Sequence, residues 1–419
     1  MAKNTNKHLV KPNIEVKNGG CAALGNNVKS ASTLVGTGVL TEGAGEILAN
    51  ASTETARKTR YAALDRAQNI LLAHGMATAF RGLAECQRGV HGGAVRVLAS
   101  REHGGHTHYG GLNTCGSVWA CPVCAAKIQA RRGTEIALAV AWAQANGKKA
   151  VMITCTHPHH AGERLDDLRA RHMDALRRMK SGRAWQDAKT ALGIVGTIRG
   201  AEVTYGANGW HWHTHELWLV PADVDVTAWR DWLAARWLDC CAAVGFKIAN
   251  KNDMLLHGLD VMAGDAVRGC DATRYIAKMG YGWGIEHEMQ GGATKSARAA
   301  GGASPFDLLM SPDTEHLYIE YIQATKGRRQ LYWSKGLKNL IGINDKTDEE
   351  LAAEQEDTAA VVAEISPDGW RAVVRGGLRG DVLDVAQAGG FDALASWWQA
   401  VGLPAASLRR GGDGGDGGD

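Results

Sequence analysis

The 419-residue chain has no run of about 18 consecutive apolar residues, the least that a membrane-spanning helix requires. Its first residues, MAKNTNKHLVKPN, carry no apolar core of the kind that directs export. A dominant charge is missing as well: 47 Lys and Arg stand against 44 Asp and Glu, a formal +3. Bulk charge therefore identifies no partner, and any nucleic-acid contact has to come from a localised patch. Gly is abundant at 53 residues, but no Gly-X-Y period occurs, which excludes collagen. Phe is scarce, 4 against 14 Trp, and composition supplies no reason for it. What remains, 45% hydrophobic and 22% charged residues, suits a folded protein and excludes a mostly disordered one. These features lead to the expectation of a soluble, intracellular protein with no membrane partner. In a reducing compartment its nine cysteines read as thiols or metal ligands, not disulfides.

The length allows two or three domains. Residues 1–55, rich in Asn, Lys, Gly, Ser, Thr and Ala, show no sustained period and read as a disordered arm. Residues 56–135 read as a helical, cysteine-rich segment, with a helix over 57–81, a loop-like stretch over 86–124, and the start of a second helix over 125–146. Residues 136–345 follow as the main α+β domain. It combines a short buried strand at 150–155, an amphipathic basic helix at 165–179, strands at 193–205 and 210–220, and helices at 224–243, 271–279 and 313–323. A small helical unit at 346–405 and a disordered Gly/Asp tail at 406–419 complete the chain. No internal repeat is present.

The most informative segment is AEVTYGANGWHWHTHELWLV, residues 201–220. Alternate side chains of a strand share a face, so His211, His213 and His215 point the same way. With the reversal centred on Ala207 and Asn208, Tyr205 faces Trp210, Thr204 faces His211 and Glu202 faces His213. Opposed residues lie about 4.5–5.5 Å apart at Cβ, which brings Glu202 into the histidine row. Two imidazoles and a carboxylate on one sheet face make a metal site with open positions for water and substrate oxygens. Mg²⁺ or Mn²⁺ bound with a phosphate suits this donor set, and zinc fits it as well. Whether His211 ligates or only supports by a hydrogen bond is open at this level.

Three further segments carry chemistry. On a helix over CDATRYIAKMG, residues 270–280, Asp271, Tyr275 and Lys278 share one face. A phenol with pKa about 10 becomes a nucleophile near neutral pH only beside a cation or metal, which Lys278 and the metal site could supply. Tyr281 is the rival, without the helical partners. In TCGSVWACPVCAAKI, residues 114–128, Cys121 and Cys124 form a two-residue knuckle suited to structural zinc, with Cys115 near enough to add a third thiolate. Cys86 is the candidate fourth ligand, with His106 or His108 as alternatives; Cys155, Cys240, Cys241 and Cys270 read as buried thiols. In TKGRRQLYWSKGL, residues 325–337, Lys326, Arg328, Arg329, Lys335 and Lys338 surround Tyr332 and Trp333, a mixture that can hold phosphates and stack unpaired bases. A solvated charge run is the competing reading there, as it is for Arg169, Arg171, Arg177 and Arg178.

These segments together resemble the initiator (Rep) proteins of rolling-circle plasmids, single-tyrosine endonucleases of the H-U-H family. GWHWHTH resembles the family's GWHPHLH, with Trp212 in place of Pro and Thr214 in place of a bulky apolar residue. MITCTH, residues 152–157, is similar to its first motif, a buried strand ending in TxT with a nearby His. The cysteine block and a KG-x-Q-x-x-WSKGLK segment also resemble the family's, here with an extra Arg after the KG. The likeness covers about residues 60–345. It implies an H-U-H nuclease domain with a central antiparallel sheet and flanking helices, preceded by a helical zinc-type segment. It further implies that Tyr275 attacks the scissile phosphodiester and becomes 5′-linked to DNA, and that Asp271 activates or positions water for the terminating cleavage. The implied setting is the bacterial cytoplasm. The implied partners are the plasmid origin, double-stranded and nicked, together with host helicase and DNA polymerase. A related transposase or mobilisation relaxase would share the chemistry, and a non-catalytic zinc DNA-binding regulator would need only the cysteines. A zinc deaminase is excluded, since its H-x-E and P-C-x-x-C signatures are not present.

Overall fold

A computed structural model of the chain describes residues 53–100, 106–262, 303–354 and 359–412. Helix α1 (Thr53–Ala73) ends where Gly75 takes a left-handed φ of +65°, so the helix expected over 57–81 breaks there and resumes as the short α2 (Arg81–Glu85). Strands β1 (Val95–Ala99) and β2 (Thr107–Gly110) follow, in the stretch expected to be loop. Helix α3 (Pro122–Ala145) then leads into β3 (Lys148–Cys155). Two helices, α4 (Leu165–Met179) and α5 (Gly182–Ala191), precede the long hairpin of β4 (Gly196–Gly206) and β5 (Gly209–Pro221). After it come α6 (Arg230–Ala243), α7 (Lys251–His257) and β6 (Leu259–Met262). The chain continues through α8 (Glu315–Thr325), β7 (Leu331–Trp333), α9 (Leu337–Ile341), α10 (Asp348–Ala353), β8 (Ala360–Ile365), α11 (Pro367–Arg375), α12 (Arg379–Ala400) and β9 (Leu408–Arg410).

The strands form two sheets, both antiparallel among the described residues. One has the order β6-β3-β5-β4-β7 and the other β2-β1-β8-β9. The five-stranded sheet is covered on both faces, which is why β5 is buried along most of its length instead of alternating. Ala150, Met152, Ile198, Leu217 and Leu219 pack on one side with Ile136, Ala139 and Ala143 of α3 and Leu337 of α9. Their sequence neighbours Val151, Ile153, Trp218 and Val220 face the other way, into a core that includes Leu168 and Leu176 of α4, Trp185 of α5 and Trp237 of α6. The His213 and His215 positions continue the Leu217 and Leu219 face. The histidine row is therefore an extension of the α3 side of the sheet, beyond its apolar patch.

The four-stranded sheet joins segments far apart in sequence. The unit expected to be helical at 346–405 contributes β8, which pairs with β1, and β9 continues the sheet through Leu408–Arg410 into the region expected to be tail. AVVAEI is short, and its partner lies about 265 residues upstream, so no local pattern announces it. Buried ion pairs close the same junction: Arg57 of α1 meets Asp384 of α12 at 2.5 Å, and Arg379, fully buried, pairs with Asp65. The described residues between 53 and 412 form one compact unit, and the boundary expected at 135/136 falls inside α3.

Thr214 shows how a polar residue is accommodated in the wall of this core. It is fully buried and bonds His172 Nε2 at 3.0 Å, and His172 Nδ1 meets His157 Nδ1 at 2.9 Å. Burial, aided by the charge of nearby His213 and Arg199, lowers the His172 pKa to about 3, so its ring is neutral. An unfolded imidazole titrates near 6.5. Between these values the unfolded chain binds the extra proton, so this histidine's contribution to stability is complete above about pH 6.5 and is lost as pH falls towards 3. The substitution His172→Gln is expected to flatten the dependence of unfolding free energy on pH between 4 and 6 by up to about 1.4 kcal/mol per pH unit, as measured by urea unfolding.

Candidate metal and nucleic-acid site

The β4–β5 hairpin has the register expected from sequence. Glu202 pairs with His213, Thr204 with His211 and Tyr205 with Trp210, and the chain reverses at Ala207 and Asn208. Gly209 makes the reversal possible, with φ at +84°; a Cβ there would also press to 3.1 Å on the His160–Ala161 backbone. On this ladder His213 Nε2 and His215 Nε2 converge on the same carboxylate oxygen, Glu202 Oε2, at 2.7 and 2.8 Å. The ligating atoms of the three residues lie within 4.8 Å of one another, a spacing that one divalent cation can bridge. Burial raises the Glu202 pKa, but the hydrogen bonds from the two imidazoles outweigh it and hold the group down at about 2, so the carboxylate is ionised. A side chain that is charged, partly buried and aimed at two imidazole nitrogens fits a hard-to-borderline divalent metal.

Thr154 of the adjacent strand and Thr156, just beyond its end, orient the row. Thr154, register partner of His215, bonds its Nδ1 at 2.9 Å, which leaves Nε2 to face the carboxylate. Thr156 bonds His211 Nε2 at 2.7 Å. His211, expected as a metal ligand, is therefore separate from the converging set: its nitrogen is taken by Thr156, and it lies two residues further along the strand. It stacks on His159, centroids 4.7 Å apart and planes at 11°, and burial lowers its pKa to about 3, leaving a neutral supporting ring. Sequence reasoning assigned no task to Thr154, Thr156 or His159. The period-two spacing of the threonines beside a histidine row was the available signal.

The thiolate cluster forms as well. Cys86 lies 3.7 Å from Cys121 and 3.6 Å from Cys124, and Cys115 lies 3.7 Å from Cys124, sulfur to sulfur. Four sulfurs at about 2.3 Å from a tetrahedral zinc would sit about 3.8 Å apart, and disulfides at these separations are excluded. Cys86 thus takes the fourth place, and neither His106 nor His108 joins the group. Hydrogen bonds from Cys115, Cys121 and Cys86 hold the Cys124 thiol down, while hydrogen bonding within the same cluster and burial push the Cys115 and Cys121 thiols up. Cys121 also caps α3, accepting from the Cys124 amide. Cys155 and Cys241 are buried, and burial pushes their thiols up, while Cys240 is half-buried; none has a disulfide partner.

The basic segment is divided by the fold. Arg328, Arg329 and Lys335 are exposed and line a groove of about 780 Å³, whose opposite wall is the thiolate loop at Cys115, Gly116 and Ser117. Lys326 is tethered, bonding the Ala79 carbonyl at 2.8 Å and lying 4.8 Å from the Phe80 ring. Trp333 is half-buried under Lys338, which is buried and paired with Glu135 and Asp345 at 3.1 and 3.0 Å. Tyr332 is 44% exposed with Arg199 over its ring, and it stays out of the groove that its neighbours Leu331 and Trp333 line. On α4 the arginines are neutralised locally: Arg169 by Asp166, Arg171 by Glu163, and Arg177 and Arg178 by Asp174. Tyr275, Asp271, Lys278, Tyr281 and Cys270 lie outside the described residues.

Two outcomes test these sites. Cys86→Ser or Cys124→Ser should take zinc from one ion per chain to near none by elemental analysis and lower the melting temperature, whereas Cys240→Ser should leave the zinc content intact. Thr154→Val should weaken Mn²⁺ binding about 10–100-fold by calorimetry, because it releases a ligand-orienting hydrogen bond. Thr156→Val, which removes only a hydroxyl bonded to His211, should change it much less.

No protein-family model matches the chain, and no solved structure matches it at a significant level. Two curated proteins do. The "Protein rep" of Streptomyces lividans is 28% identical over 355 residues, covering 67% of this chain and 77% of that protein. The "Neomycin resistance protein" of Streptomyces cyanogenus is 36% identical over 150 residues, covering 30% of this chain and 34% of that protein. Over two thirds of its length the chain is thus similar to a Rep protein.

Proposed function

We propose that this is a plasmid replication initiator that nicks one strand of its origin through tyrosine attack and leaves a 3′-hydroxyl for the host polymerase. The observation that carries the reading is the convergence of Glu202, His213 and His215 on one point of a hairpin, braced by Thr154, in a chain similar to a Rep protein. A divalent cation held there, Mg²⁺ or Mn²⁺, would supply Lewis-acid polarisation of a non-bridging phosphate oxygen, worth about several kcal/mol.

The chain's own groups divide the remaining work. Tyr275 is the nucleophile: its phenolate oxygen bonds to phosphorus as the bond from phosphorus to the 3′-oxygen breaks. The phenol's proton is balanced by protonation of the departing 3′-oxygen. Lys278, one turn along the same helical pattern, favours the phenolate by its charge. The ester linkage is retained in phosphotyrosine, so a later 3′-hydroxyl can reseal the strand without ATP. Asp271 activates or positions water for the terminating cleavage. Arg328, Arg329 and Lys335 hold backbone phosphates along their groove. The segment carrying Tyr275 leaves the five-stranded sheet at Met262, paired with Met152 of β3. The described chain resumes at Ala303, bridged to Tyr205 of β4, so both flanks lie on the sheet that bears the ligands. In this reading the thiolate centre holds structural zinc, and the protein acts in the bacterial cytoplasm with a host helicase and DNA polymerase.

The test incubates the protein with a supercoiled plasmid bearing the origin and Mn²⁺, then resolves covalent protein–DNA adducts on a denaturing gel. Tyr275→Phe should abolish the adduct and Tyr281→Phe should retain it; the reverse pattern would move the nucleophile to Tyr281. Origin binding with no adduct from the unaltered chain would instead indicate a non-catalytic DNA-binding regulator. Asp271→Ala should keep the first cut and impair release after one round.

A further inference from the structure

Behind the ligand row lies a cavity of about 20 Å³, lined among others by Gly200, Glu202 and His215 of the hairpin, Gln129 of α3, and Gln330 and Leu331 of the following edge segment. Gln129 is only 4% exposed, on a helix that also buries Glu135 and sets Arg132, paired with Glu135 and Asp348, in the same cavity lining; a buried amide without a partner costs about 1–3 kcal/mol. Among the described residues it has no hydrogen bond to protein, and its place in the cavity lining makes the cavity its available outlet. Glu202 presents the complementary need. Its Oε2 accepts from both His213 and His215, and among the described residues no protein group donates to its Oε1.

A cavity needs about 10–15 Å³ to hold one water, and that water needs two to four polar neighbours. This one has room for a single water and offers Glu202, Gln129 and Gln330; Arg132 and Asp348 also line it but are already paired with each other. We infer that Gln129 is a positioning residue for the metal site: through one ordered water it holds Glu202 Oε1, which keeps Oε2 turned towards the two imidazoles. The inference rests on the reading of Glu202, His213 and His215 as metal ligands and adds an outer partner supplied by a different element. That element is α3, whose first turn is capped by Cys121 of the thiolate cluster. The helix that begins at one candidate metal centre therefore reaches the carboxylate of the other.

The experiment titrates Mn²⁺ into the full chain, with its zinc content verified, by calorimetry and follows the bound ion by electron paramagnetic resonance. The unaltered protein should bind one Mn²⁺. Gln129→Leu, close in volume but without the amide, should weaken binding about 10–100-fold and alter the line shape of bound Mn²⁺, with zinc content and melting temperature unchanged. A role in packing alone would move the melting temperature and leave the line shape as it was. Gly200→Ala, which adds a methyl at another residue lining the same cavity and leaves Gln129 intact, should act in the same direction. It decides the matter if Gln129→Leu does not fold. Affinities within about threefold of the parent for both variants would overturn the role of Gln129 and leave the ligands standing. A parent that binds no Mn²⁺ would overturn the metal reading, and the inference with it.

Discussion

The functional reading depends on one backbone ladder, the antiparallel pairing that sets Glu202 opposite His213. Register in such a hairpin is all or nothing: a slip of one residue would turn every imidazole of β5 into the α4-side core and bring Trp212 and Thr214 to the open face. Several features prevent that slip. Gly209 permits the reversal, Trp210, Trp212 and Trp218 are buried and large, and Thr214 is engaged by His172. The abundance of tryptophan, unexplained as composition, gains a reason here, since these rings lock the strand that carries the ligands.

Around that ladder the polar groups are arranged in shells. Glu202 and the two histidines face one point, Thr154 fixes the ring orientation of His215, and His211 is held apart by Thr156. An imidazole that binds metal through Nε2 needs a partner on its other nitrogen, and β3 supplies one to His215 because its Thr154 shares the same sheet face. The thiolate cluster serves the architecture differently. It anchors the start of α3 and one wall of the groove in which Arg328, Arg329 and Lys335 are exposed. Those cations differ from the arginines of α4, which nearby carboxylates neutralise. Equal runs of charge in sequence thus acquire unequal availability for a polyanion.

Much of the local structure was legible because it follows from short-range rules. The helix over Leu165–Met179 and the hairpin with its cross-strand pairs depend on periodicities of 3.6 and 2 and on a glycine at the turn. The three nearby cysteines were legible for the same reason, with Cys86 expected as their fourth. What escaped was long-range. β8 and β9 were hidden because strand identity for a six-residue segment comes from its partner, and that partner, β1, sat in a stretch rich in Gly and His. The continuous α3 crossed an expected boundary because a helix that packs on one sheet while its cap belongs to a cysteine centre has no reason to break between them.

Spacing along the chain determined which donors share a face, because side-chain direction in a strand or helix is set by backbone geometry alone. It placed Glu202 with His213 and His215 and Cys121 with Cys124 before any tertiary contact was considered. Only the folded chain decided which of those donors are free to converge. His211 was withdrawn by a threonine just beyond β3, Lys338 was buried against Glu135, and Gln129 arrived from a helix more than 70 residues before the carboxylate whose cavity it lines. Such choices depend on which elements pack together, and packing is settled by the burial of the whole apolar surface rather than by any one segment.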